Sequence, residues 1–314
     1  MSTDLGDVLG SVLPVLILIA LGMVLRRINV LNDSVILGLK RLIVSVALPA
    51  LLFTTFLKLE FAPEHVWVIT TAFGVCLLLL GLGYLYRRIV GGSAYSPLLF
   101  TGFELGMIGF ALFAAVYGTD QLPALGVLAL GHEVFIWFIF VTLLRAVGNQ
   151  RETIAEVVRS LITSPVIIAI LAGITLNALG MGRIMEQAPI GTAIQISLGY
   201  LAAMIVPLVL LIIGYGTRLS LSGVREALPL VATRLVVVIT LALTISAVVF
   251  TGLLDLPPIY SAALFTLLIL PPPYIVPLFI PPERKDDLGY ANNVISLYTL
   301  LSILSFVSYV LITG

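Results

Sequence analysis

The sequence predicts an all-α polytopic membrane protein: ten transmembrane helices arranged as 5+5 inverted repeats, with helices four and nine broken and crossing. Three observations predict it. The 314 residues are 60% hydrophobic and 10% charged, with a mean hydropathy of +1.19, whereas soluble domains run near 45–50% apolar and about 25% charged. Ten apolar stretches follow one another and leave no soluble domain over. Two of the stretches are interrupted at corresponding places in the two halves, and such paired interruptions point to a binding site at membrane depth.

The stretches fall near residues 7–25, 36–57, 65–86, 94–117, 122–146, 164–181, 193–215, 228–252, 257–280 and 291–312. Each approaches the roughly 20 apolar residues that a spanning helix needs. The first follows Asp4 and Asp7 with no Lys or Arg before it. It reads as a span with an exported N-terminus, because a cleaved signal peptide opens on positive charge. The second stretch contains Val46-Ala47-Leu48-Pro49-Ala50-Leu51-Leu52 and the seventh Met204-Ile205-Val206-Pro207-Leu208-Val209-Leu210, each a mid-span proline followed by aliphatics. Five spans per half is an odd number, so the halves, 1–150 and 151–314, insert in opposite directions.

The fourth stretch holds Phe103-Glu104-Leu105-Gly106-Met107-Ile108-Gly109-Phe110. Glu104 lies about ten residues into it, roughly 15 Å from the inner end at helical rise. An ionisable group at that depth is a functional-site candidate by default; the plainer alternative is a protonated Glu that bridges two helices. Gly106 and Gly109 weaken the helix around it. A carboxyl group beside unwound backbone is suited to bind a proton, coordinate Na⁺ or hydrogen-bond a substrate.

The fifth stretch enters after the short turn Tyr117-Gly118-Thr119-Asp120-Gln121, so spans four and five are antiparallel neighbours. His132 and Glu133 then fall at a depth similar to Glu104, where they either shuttle a proton or satisfy a break. The His-Glu dipeptide is not a zinc motif, because position 136 is Ile136 and the other histidine is His65. The connection near 147–163 puts Ile154, Val157, Val158, Leu161 and Ile162 on one face, which predicts a short interfacial helix.

The ninth stretch contains Leu270-Pro271-Pro272-Pro273-Tyr274-Ile275-Val276-Pro277. Three prolines cannot continue a helix, since each removes a donor and clashes with the preceding turn. A loop between two shorter spans is the alternative, against which stands the lack of any charge between Asp255 and Glu283. The tenth carries Ser296, Thr299, Ser302 and Ser305 at three-residue spacing, the pattern of close helix packing. Asn292 and Asn293 stand at its inner entry.

Charge sets the orientation. Fourteen of the 16 Lys and Arg residues fall after odd-numbered spans or on the adjoining helix ends, from Arg26 and Arg27 through Arg234 to Arg284 and Lys285. Lys58 and Arg183 fall on the other side. Positive residues stay cytoplasmic, which predicts a multi-pass plasma (bacterial inner) membrane protein with both termini outside. The zero net charge gives no reason to expect a nucleic-acid partner, and the single Cys76 allows no intrachain disulfide.

Ala47-Leu48-Pro49-Ala50-Leu51-Leu52-Phe53, Ser164-Pro165, Val206-Pro207-Leu208, the proline break of the ninth stretch and Thr299-Leu300-Leu301-Ser302 occur in an order and spacing that resemble the auxin efflux carrier (PIN-like) family, with its bacterial malonate/malate permease-like members. The resemblance covers nearly the whole chain. In span four the family usually shows an Asn, a Gly two residues on, a second Gly and a Pro. Gly106 and Gly109 match, Glu104 stands in place of the Asn and Ala111 in place of the Pro. The resemblance implies a scaffold of spans one, two, six and seven that dimerises, lined on its inner side by Pro49 and Pro207. It implies a mobile part of spans three to five and eight to ten, and small organic anions as substrates. Phe103-Glu104-Leu105-Gly106-Met107 is also similar to a crossover motif of the sodium–bile acid symporters, in which the Glu is a sodium ligand; a Gln-Asn pair follows there, and Ile108-Gly109 here.

The resulting expectation is a secondary carrier of a small organic anion in the lipid bilayer, a homodimer, with no cofactor and no resident metal. Its coupling ion is H⁺ at Glu104, and Gly106, Gly109, Pro271, Pro272 and Pro273 frame the site. Na⁺ at Glu104 is the alternative. A membrane-embedded enzyme built on His132 and Glu133 would lack a second metal histidine, a Gly-x-Ser-x-Gly motif and a soluble domain; a passive channel is the remaining class.

Overall fold

The computed structural model describes residues 5–59, 62–148, 163–216, 221–281 and 283–313. The interfacial helix expected near 147–163 lies almost wholly outside the described residues. Every regular element among the described residues is helical. In chain order they are α1 (Leu5–Arg27), α2 (Asp33–Leu57), α3 (Glu64–Val90), α4 (Ser96–Phe100), α5 (Phe110–Tyr117), α6 (Thr119–Val147), α7 (Pro165–Ala178), α8 (Met181–Gln187), α9 (Pro189–Gly216), α10 (Gly223–Leu253), α11 (Pro258–Ile269) and α12 (Lys285–Thr313). Among the described residues, α2, α3, α6, α9, α10 and α12 are the helices long and apolar enough to cross a membrane, and α7 and α11 are shorter apolar helices.

The outside of the protein is apolar. Tyr200 on α9 and Leu253 on α10 are 74% and 75% exposed, and α3 presents Trp67 and Ile89 in the same way. Contiguous exposed apolar surface is a liability in water but is matched by lipid tails. Over its most apolar stretch α6 is 56% buried and α10 only 17%, so α6 is the central helix and α10 a peripheral one.

Four pairings organise the bundle: α1 along α9, α2 along α7, α3 along α6 and α10 along α12. In the first two, small residues let backbones touch, as expected where packing rather than water drives association. Gly22 lies against the Leu211 backbone and Gly173 against the Phe53 backbone, with no room for a Cβ at either. The last carbonyls of a helix have no partner within it, and in both pairs the neighbour supplies one. Asn177 Nδ2 donates to the carbonyls of Phe56 in the last turn of α2 and Leu59 just beyond it, at 2.9 and 2.5 Å. Arg26 Nη1 donates to the Tyr215 carbonyl at the end of α9, 3.2 Å away. One sequence offset relates Gly22 to Gly173 and Arg26 to Asn177; a second relates Phe53 to Leu211 and Pro49 to Pro207.

The two mid-span prolines disturb their helices in similar places. Pro49 has no N–H to continue the ladder, and a π-helical turn, Ile43–Ala47, precedes it, with the Leu48 N–H reaching back to the Ile43 carbonyl. In α9 the helix is interrupted at Met204, three residues before Pro207. Such departures from α geometry are where helices bend.

Asn177→Ala leaves buried carbonyls at the end of α2 without a donor. It is expected to lower stability by about 0.5–2 kcal/mol, read as a drop in Tm of the purified protein in detergent. An unchanged Tm would show that the α2–α7 pair does not depend on that contact.

Candidate functional site at two paired helix breaks

The first break follows α4. Thr101 is extended (φ −121°, ψ 172°), and Gly102 adopts φ +70°, a left-handed conformation that costs other residues about 1–2 kcal/mol. A Cβ at Gly102 would lie 3.0 Å from Pro273 Cγ and 3.2 Å from Phe140. Backbone geometry and crowding by the second break therefore both demand glycine here. The helix resumes with a π-helical turn, Leu105–Gly109, and continues as α5. The unwound residues are thus Thr101 to Glu104. Gly106 and Gly109, expected to frame the break, lie instead in the resumed turn and make room for neighbours, Leu48 at 3.1 Å and Leu270 at 2.7 Å from their notional Cβ positions.

The second break follows α11. Leu270 precedes a proline, which disfavours helical backbone at the residue before it, and it is extended (φ −61°, ψ 151°). Pro271, Pro272 and Pro273 carry no N–H, so the chain crosses the interior without exposing three donors. A turn at Tyr274 and Ile275 leads into a 3₁₀ turn, Val276–Phe279.

The breaks satisfy each other. The Glu104 N–H donates to the Pro271 carbonyl at 2.9 Å. The Tyr274 N–H, the first donor after the prolines, donates to Glu104 Oε2 at 2.7 Å. Glu104 is therefore the side chain that ties one broken helix to the other, through both its backbone and its carboxyl group.

Surrounding helices supply the remaining partners. His132 on α6 is buried, and its Nε2 accepts from the Phe103 N–H at 3.1 Å. A nitrogen that accepts from an amide carries no proton, so the imidazole proton sits on Nδ1 and points to Glu133 Oε1, 3.3 Å away. Trp137 Nε1 donates to Glu133 Oε2 at 3.0 Å. Thr101 Oγ1 donates to the Cys76 carbonyl on α3 at 2.8 Å. On α12, Ser302 Oγ lies 2.6 Å from the Ile269 carbonyl at the end of α11, and Thr299 Oγ1 lies 3.0 Å from the Tyr274 hydroxyl. The serine–threonine row of α12 thus serves packing against the second break.

Arg234 on α10 has no accessible surface. Its Nη2 donates to the Gly102 carbonyl at 2.7 Å, and its guanidinium lies over the rings of Tyr298 (4.3 Å) and Phe103 (5.4 Å). This overturns its place among the cytoplasmic charges. α10 begins earlier than the apolar stretch suggests, so Arg234 stands three turns inside the helix and packs against the break.

The structure thus brings Glu104, Pro271, Pro273 and His132 to one place, with Glu133 one hydrogen bond behind His132. Leu48, beside Pro49, meets Gly106, and the Pro207-bearing half of α9 packs on the Leu105–Gly109 turn. Gly102, Arg234, Tyr274 and Tyr298 were missed. For Arg234 a signal existed, since it is the one charge between Glu226 and Asp255. Among the described residues no group of three or more His, Cys, Asp or Glu is placed to hold a metal ion.

No protein-family model matches the chain. It is 24% identical over 306 residues, 94% of this chain and 95% of the relative, to an uncharacterized transporter of Methanothermobacter thermautotrophicus. Similarity over nearly the full length of both chains, together with the apolar helices, supports a multi-pass membrane protein of a transporter family. It selects neither of the two families that the motifs resemble.

Gly102→Ala meets both the left-handed backbone and Pro273. It is expected to destabilise the protein by about 1–3 kcal/mol, seen as a lower Tm; a Tm equal to wild type would contradict the close contact between the two breaks.

Proposed function

We propose that the protein is a secondary carrier that moves a small organic anion across the plasma (bacterial inner) membrane by alternating access, with H⁺ coupling at Glu104. The observation that carries this reading is the bond from the Tyr274 N–H to the Glu104 carboxyl group. A group that changes charge on binding a proton is the link between two unwound segments, so protonation and the relation of the two breaks are one variable. With Glu104 protonated, no negative charge opposes an entering carboxylate. The Tyr274 bond persists on a carboxyl oxygen but weakens, because hydrogen bonds to ionised acceptors are roughly twice as strong as neutral ones. Deprotonation restores both the repulsion and the tight crossing. The similarity to a transporter supports the carrier class.

The architecture in this reading is ten spans in two inverted halves, 1–150 and 151–314. The repeated offsets support it, as do the matched pairings: α1 on α9 mirrors α7 on α2, and α3 on α6 mirrors α10 on α12. The scaffold is α1, α2, α7 and α9, through which two copies pair as a homodimer. The mobile part is α3 to α6 with α10 to α12. Pro49 and Pro207 follow departures from α geometry in the scaffold helices that pack on the Leu105–Gly109 turn. Both termini are exterior.

The second reading replaces H⁺ with Na⁺ at Glu104. The donor-free backbone of Pro271–Pro273 beside a carboxyl group favours it, because hard cations take oxygen ligands.

Malonate uptake into proteoliposomes under an imposed pH gradient, with and without Na⁺, tests these readings. Wild-type uptake is expected to follow the pH gradient. Glu104→Gln, whose amide oxygen still accepts from Tyr274, is expected to lose that response while keeping its fold. A Glu104→Gln protein with full pH-driven uptake removes the coupling role. Uptake that requires Na⁺ and ignores the pH gradient transfers the role to sodium.

A further inference from the structure

Arg234 is a guanidinium, ionised at any physiological pH, with no accessible surface and no carboxylate partner among the described residues. One of its nitrogens, Nη2, is used on the Gly102 carbonyl. Nε and Nη1 are buried and have no hydrogen-bond partner, and neither has the hydroxyl of Tyr298, whose ring stacks beneath the same guanidinium. Taking a cation out of water is costly unless it is paired, and two aromatic faces offset part of that cost. The acids nearest the break are held by other partners: Glu104 by the Tyr274 N–H, Glu133 by Trp137 and His132. A permanent positive charge therefore sits beside the first break with no ion-paired carboxylate among the described residues.

We propose that Arg234, with the Tyr298 hydroxyl, is the binding position for the carboxylate of the transported substrate, an assignment that rests on the carrier reading above. Nη2 has a second hydrogen beside the one on the Gly102 carbonyl, and that hydrogen with Nε–H or Nη1–H forms an edge of parallel donors that matches a carboxylate two-to-two. The Tyr298 O–H is a third donor beside it. Binding there pairs the buried cation while Glu104 remains the proton-responsive group across the break, so one site holds an anion despite containing a carboxyl group. Arg234 is closed off in this conformation, so the anion reaches it when α10 and α12 shift relative to the unwound Thr101–Glu104 segment. The Gly102 carbonyl on Nη2 couples the occupied guanidinium to the first break.

The test is thermal stabilisation of the purified protein in detergent by malonate, with the uncharged malonamide as control. Wild type is expected to be stabilised by malonate and not by malonamide. Arg234→Met is expected to abolish the malonate response. Arg234→Lys keeps the charge but lacks the fork, and Tyr298→Phe keeps the ring but lacks the hydroxyl. Each is expected to raise the malonate concentration for half-maximal stabilisation about tenfold or more. If Arg234→Met does not fold, the other two variants decide. Malonate affinity unchanged in Arg234→Lys, a wild type that responds equally to malonamide, or a wild type that responds to neither would overturn the assignment. These are equilibrium measurements without a gradient, so a failure of proton coupling at Glu104 leaves their outcome unaffected and is read separately in the flux of Glu104→Gln.

Discussion

A helix that is interrupted inside an apolar medium releases N–H and C=O groups that water cannot reach, and each unpaired group costs several kcal/mol. This protein interrupts two helices and pairs the released groups with each other. Glu104 donates its backbone N–H to Pro271 and accepts the Tyr274 N–H on its carboxyl group. The rest of the site follows from that constraint. Pro271–Pro273 reduce the number of donors that must be satisfied, Gly102 allows the two chains to pass, and α6, α10 and α12 each send one polar side chain to the groups left over.

Those side chains are of different kinds, and the difference has consequences. Ser302 on the second break is neutral and caps a carbonyl. On the first break the corresponding work is shared by a histidine and an arginine. His132 holds the Phe103 N–H only while its Nε2 is unprotonated, so its contribution there is structural, with Glu133 fixing the tautomer from behind. Arg234 brings a charge that a carbonyl alone does not require. The first break is thus the electrostatically loaded one, with Glu104 and Arg234 on its two ends, while the second is built almost entirely from backbone and hydroxyls.

Much of this was legible in the sequence, and what was not has identifiable physical causes. A carboxyl group and a triple proline inside apolar runs are visible to any reading of hydropathy, which is why Glu104 and Pro271 stand out unaided. The nearness of His132 to the first break followed from the short turn between spans four and five. Gly102 was not legible, because the crowding that excludes a Cβ there comes from Pro273, which is far away in sequence. Gly106 and Gly109 were the more obvious glycines, but they serve close packing after the break. Arg234 was displaced by a boundary error: apolar content marks where a helix enters the membrane, not where it begins, and α10 starts before its apolar stretch. Tyr274 contributes through its main-chain N–H, which its residue type does not reveal.

The central claim is that the Glu104 carboxyl group holds the two breaks together. Backbone hydrogen exchange in the 274–279 segment, followed by mass spectrometry in wild type, Glu104→Gln and Glu104→Ala, tests it directly. The account predicts slow exchange at Tyr274 in wild type and Glu104→Gln, both of which offer an acceptor oxygen. It predicts fast exchange there in Glu104→Ala, with the α2–α7 pair unaffected. Equal protection of that segment in all three proteins would contradict it.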